Sequence, residues 1–138
     1  MNKAEILSFI SAHSTAYVAT AAGNKPHVRA LGTFRADENG IIFAMQSNKD
    51  VYQQLLDNPE VEICYYADGI QVRVAGQLLP ETNQVLKEEI TEKRPFYKPG
   101  VEAEGWDYVG VFKMTGGKAT VMDMKAPPSP AAKTWIDL

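Results

Sequence analysis

The feature that most narrows the fold is a set of turn dipeptides spaced at short intervals between runs of alternating or continuous apolar residues. Asn39-Gly40, Asp68-Gly69 and Gly116-Gly117 each separate two such runs, and the stretch Ala22-Gly23-Asn24-Lys25-Pro26 separates another pair. Asn-Gly and Asp-Gly supply the positive-φ residues that close a tight hairpin, so the flanking runs read as antiparallel strands. TAYVAT and HVRALGTFR flank the first turn, IIFAMQ follows the second, VEICYYA and IQVRVAGQLL flank the third, and WDYVGVFKM and KATVMDM flank the last. In HVRALGTFR, Val28, Ala30, Gly32 and Phe34 share one face, which we read as core; Arg29, Leu31 and Thr33 share the other, which mixes charge and bulk. IIFAMQ is apolar on both faces and predicts a central strand covered on each side.

Helical spacing appears in three places. Ile6, Phe9, Ile10 and His13 recur at intervals of three and four in residues 2–13, with Asn2 as a candidate cap. Ser47 followed by Asp50 resembles a capping box and predicts a helix start, with Val51, Tyr52, Leu55 and Leu56 as the apolar stripe and Asn58-Pro59 as the stop. Residues 82–94 predict a surface helix that Pro95 terminates, followed by a Gly-rich loop. About six strands joined by short turns, with helices between them, predict a mainly β, α+β fold: a six-stranded antiparallel barrel flanked by short helices. We read residues 1–125 as the barrel domain and 126–138, containing APPSPAA, as an extended Pro-rich tail.

Composition removes several function classes. The chain carries a net charge of −3, with 14 Lys and Arg against 17 Asp and Glu, and no face gathers the basic residues as nucleic-acid binding would need. Cys64 is the sole cysteine, so an internal disulfide, a thiol pair and a zinc knuckle are all excluded, and a buried inert thiol is the reading. His13 and His27 lie on different elements without an acid pattern, and no metal site is expected. No run of eighteen apolar residues occurs, and the expected setting is cytoplasmic, away from membranes.

Arg29 and the run Ser47-Asn48-Lys49 are the residues that suggest chemistry. A strand-borne guanidinium, a lysine and the free N–H groups of a helix start can converge on one phosphate, with Asp50 turned away as the cap partner. Taken locally, the same residues read more simply as a solvated arginine, a plain N-cap and a surface lysine. Trp106 reads as a core-packing aromatic, with stacking on the ring of a bound cofactor as the alternative.

The segments ATAAGNKPHVRALGTF, IIFAMQSNKDVYQQLLDNPEVEICYY and VRVAGQL together resemble the pyridoxamine 5′-phosphate oxidase-like FMN-binding split-barrel family. That resemblance implies a split barrel that binds FMN between the subunits of a homodimer. It implies that the strand containing Arg29, Ala30 and Leu31 lies along the flavin, with Arg29 at the phosphate or ribityl chain. It places the remaining phosphate ligands at Met45, Gln46, Ser47, Asn48 and Lys49, matches the helix ending at Gln54, Leu55, Asn58, Pro59 and Val61, and puts Gln54 among the residues expected to contact the cofactor. We read Leu31 and Thr33, beside Arg29, as an otherwise wet face that a second subunit would cover. The expected function is an FMN-dependent oxidoreductase of an unidentified small molecule, with no catalytic side chain assigned. The family's Arg- and His-bearing C-terminal segment is replaced here by KTWIDL, so pyridoxamine phosphate oxidation itself is not expected. The alternatives are a non-enzymatic module that stores or senses flavin or haem, and a dimerising stress-response domain without ligand.

Overall fold

The computed structural model describes all 138 residues, Met1–Leu138. Helix α1 (Lys3–Ala12) leads into strands β1 (Thr15–Ala22), β2 (Lys25–Asp37) and β3 (Gly40–Gln46), then helix α2 (Asp50–Asp57). Strands β4 (Glu60–Ala67), β5 (Ile70–Gln77) and the two-residue β6 (Leu79–Pro80) precede helices α3 (Gln84–Lys93) and α4 (Lys98–Glu104). Strands β7 (Val109–Met114), β8 (Lys118–Asp123) and β9 (Ile136–Asp137) complete the chain. The spatial order is β6-β7-β3-β2-β1-β4-β5-β8-β9, with every pair antiparallel, so the split-barrel class stands with nine strands instead of six.

The turns form as their residues require. Asp68 and Gly69 both adopt positive φ, 52° and 79°, the pair of conformations that a twisted two-residue hairpin needs. At Gly40 a Cβ would lie 2.5 Å from the Met114 carbonyl, so only glycine admits this approach of β3 to β7. Asn2 caps α1 through a reciprocal pair: its side chain accepts from the Glu5 N–H at 2.9 Å, and the Glu5 carboxylate accepts from the Asn2 N–H at 3.1 Å.

β3 is covered on both faces, as its unbroken apolar run requires. Ile41, Phe43 and Met45 enter the main core with Ile6, Ile10, Ile63, Tyr65 and Phe112, while Ile42 and Ala44 pack outward against Ile90, Tyr97, Val109 and Val111. Each such large apolar side chain, fully buried, contributes on the order of 1.5–3 kcal/mol.

β2 corrects the sequence reading in two ways. Its inward face carries Arg29, Leu31 and Thr33, with Thr33 buried and Leu31 packed on the main core. Val28, 70% exposed, lies outside together with Ala30 and Gly32, so Leu31 and Thr33 are not the wet face that would call for a second subunit. The Gly-rich loop after α3 is also largely helical: a short turn at Pro95–Tyr97 runs into α4, with Pro99 in its first turn where a missing N–H costs nothing. The Pro-rich segment leaves β8 and the chain returns at β9, where the Leu138 N–H donates to the Gly117 carbonyl at 2.8 Å.

Candidate functional site

β2 changes partner part-way along its length. Residues 25–32 bond to β1, while the pairing to β3 covers Thr33 to Asp37 and is interrupted by a register shift between Thr33 and Arg35. A bulge of this kind bends the strand, and here β2 leaves β3 at that point. In an antiparallel ladder successive residues direct their N–H and C=O groups to opposite edges. The Thr33 N–H donates to the Ser14 carbonyl on the β1 side, which turns the backbone of Gly32, Ala30 and Val28 toward the open edge. Consistent with that phase, Arg94 Nη2 reaches the Gly32 carbonyl at 3.5 Å from the open side.

The gap between the parted strands is a cleft of about 510 Å³. One wall is β2 from His27 to Gly32; the other is Ala44, Met45 and Gln46 of β3 with Lys49, Asp50 and Val51; Arg94, Phe96 and Tyr97 close one side. Arg29 and Lys49 therefore face the same space, together with Ala30, Leu31, Met45 and Gln46. Ser47 and Asn48 lie outside its lining, and so does Gln54, which sits behind Arg29 and accepts from its Nη2 at 2.7 Å. Trp106 lines a separate hollow with Glu88, Thr91 and Lys98.

Two expectations about the helix start change. α2 begins at Asp50, and Lys49 stands at the N-cap position without a side-chain cap, so the Ser47–Asp50 box does not form. Asp50 accepts from the Val51 N–H at 3.0 Å, as a first-turn carboxylate does, yet it lines the cleft instead of pointing away. The helix thus fills part of its own N-terminal donor set, and the anion-binding capacity of the cleft falls on side chains.

Electrostatically the cleft gathers Arg29, Lys49 and Arg94 against a single acid, Asp50, within a chain of net charge −3. None of the three cations makes an ion pair within 4.0 Å. Burial lowers the Arg29 pKa, and the field of nearby Asp50 opposes that shift. Arg94, Phe96 and Tyr97 went unnoticed in the sequence because Pro95, Pro99 and Gly100 make their segment look like a loop; the signal available was an arginine beside two aromatics. Arg94 donates to the Thr33 carbonyl at 3.2 Å and stacks on the Phe34 ring at 5.3 Å, and burial raises the pKa of Tyr97.

The sequence profile described as pyridoxamine 5′-phosphate oxidase matches residues 3–103, most of the chain. The chain belongs to that family. Among solved structures it is similar to a NimC/NimA family protein from Clostridium acetobutylicum, with a TM-score of 0.78 and 24% identity over 98% of this chain and 92% of that one. It is similar to PhzG from Burkholderia lata, solved with tetrahydrophenazine-1-carboxylic acid, with a TM-score of 0.72 and 12% identity over 98% and 89% of the two chains. It is also similar to a pyridoxamine 5′-phosphate oxidase-related, FMN-binding protein from Nostoc punctiforme, with a TM-score of 0.65 and 14% identity over 99% and 95%. No curated protein matches the chain in sequence. At these identities the solved structures establish the shared fold.

Proposed function

We propose that this member of the pyridoxamine 5′-phosphate oxidase family binds FMN in the β2–β3 cleft and acts as an FMN-dependent oxidoreductase on a small molecule. The observation that carries the reading is Arg29: a half-buried guanidinium, paired with no carboxylate, that faces a cofactor-sized cleft beside Lys49. An unpaired charge held away from water calls for a counter-ion, and a single phosphate meets that demand where a polyanion would not. The cleft volume falls within the range of about 300–1,000 Å³ common for small-molecule sites.

In this reading Arg29 and Lys49 hold the phosphate, and the open N–H and C=O groups of Val28 and Ala30 meet the polar edge of a flat ring. Met45 and Leu31 supply apolar cover that excludes water. Bound FMN would supply the electron-transfer chemistry. Arg94 touches β2 four residues beyond Arg29, roughly 13 Å along the strand, and with the exposed Phe96 forms a second cationic and aromatic pole. That pole suits a small planar anion as substrate. The tetrahydrophenazine-1-carboxylic acid in the PhzG structure is a compound of that kind.

A homodimer is part of the proposal. Val28, at the rim of the cleft, and Tyr17 and Tyr66, on the outward face of β1 and β4, are 70%, 48% and 53% exposed, and a second copy would cover them. Haem storage is the second reading, favoured by the placement of His27, a residue type that ligates haem iron, in the same lining.

An absorption spectrum of freshly purified protein tests these readings. Flavin bands support the first, a Soret band supports the second, and colourless protein that takes up neither added ligand sinks both. The double variant Arg29→Ala, Lys49→Ala is expected to leave the column without flavin. Stoichiometric FMN in that variant overturns the site assignment.

A further inference from the structure

A guanidinium has five N–H groups, and most of those on Arg29 are already committed. Nη1 donates to the Val18 carbonyl at 3.2 Å and to the Thr20 hydroxyl at 2.7 Å, and Nη2 donates to Gln54 Oε1 at 2.7 Å. The Thr20 hydroxyl in turn donates to the same Gln54 oxygen at 2.6 Å. Thr20 and Gln54 therefore close a hydrogen-bonded ring across the Nη1–Nη2 end of the guanidinium. The Nε–H and the second Nη2–H remain, and these lie parallel on the adjoining edge. That edge is the fork that matches two oxygens of a phosphate or carboxylate.

The ring is assembled from three elements: Thr20 from β1, Arg29 from β2 and Gln54 from α2. Thr20 is only 3% exposed, so its hydroxyl has little access to water. All the acceptors are neutral, so they orient Arg29 without cancelling its charge. A carboxylate in the place of Gln54 would hold the guanidinium equally well and neutralise it.

We infer that Thr20 and Gln54 are positioning residues that fix the Arg29 rotamer with its Nε–Nη2 fork presented to the cleft, and thereby set a preference for phosphorylated over unphosphorylated flavin. This rests on the FMN reading above. It also gives Gln54 a different part from the direct cofactor contact expected from its place in the sequence: Gln54 acts through Arg29.

The test compares FMN with riboflavin, which share the ring and ribityl chain and differ in the phosphate. Flavin-stripped full-length protein is titrated with each, in the wild type and in Thr20→Val, Gln54→Leu and Thr20→Ser, with thermal melts alongside. Thr20→Val and Gln54→Leu should each weaken FMN binding by roughly tenfold or more, as expected when hydrogen bonds to a charged group are misaligned, with riboflavin affinity unchanged. Thr20→Ser keeps the hydroxyl and should keep the preference. If the wild type prefers FMN and the first two variants retain that preference, or lose both flavins equally, the positioning role is wrong while the site stands. If the wild type binds both flavins alike, the phosphate site itself fails, and this inference with it.

Discussion

Residues 33–37 of β2 are paired to β3 as well as lying beside the core, whereas residues 25–32 are paired to β1 alone, and the two halves of this one strand do different work. In the half paired to β3, Thr33 is buried and its hydroxyl lies 2.8 Å from the Tyr65 hydroxyl, opposite Phe43 in the register. In the half paired to β1, the edge that has parted from β3 and the Arg29 fork stay open toward the cleft. Burial is therefore concentrated where the strand runs beside β3, and open backbone where it has parted from β3.

That contrast can be broken by substitution. Phe43→Ala removes a fully buried ring from the core and should cost about 3–5 kcal/mol, read as a large fall in the denaturation midpoint. Tyr65→Phe leaves the buried Thr33 hydroxyl without its partner and should cost about 1–3 kcal/mol. Burial holds the Tyr65 pKa above that of an exposed tyrosine, near 10, so the neutral phenol favours folding below that pH. Stability should fall as pH rises above about 10, and Tyr65→Phe should remove part of that alkaline loss. Gly32→Ala in the open half should change stability by less than about 0.5 kcal/mol, because the added Cβ meets only Arg94 Nη2, at 3.5 Å. A loss there as large as that from Phe43→Ala would mean the open half is structural after all.

Much of this architecture was legible because hairpin dipeptides and period-two alternation are local signals. The central position of β3 followed from an apolar run with no polar face. What alternation does not say is which face turns inward. In β2 the more apolar set, Val28, Ala30 and Gly32, lies outside, because Arg29 on the inner face finds acceptors in Val18, Thr20 and Gln54. Those partners lie on β1 and α2, and no short window of sequence contains them. The strands β6 and β9 are two residues each, too short to show any period, and exist through their pairing with β7 and β8. The convergence of Arg29 with Lys49 was anticipated, but Arg94 and Phe96 enter the cleft only because α3 folds their segment back over β3.

A strand left half unzipped is also a hazard for a β protein, since its free amide row is a template for another chain's strand. Here the vulnerable run is short: Pro26 offers no N–H near its beginning, and the Arg94 guanidinium occupies the Gly32 carbonyl at its end. A ligand seated along Val28 and Ala30 would mask the remainder, so occupancy of the cleft should protect the protein from self-association into aggregates as well as equip it for chemistry.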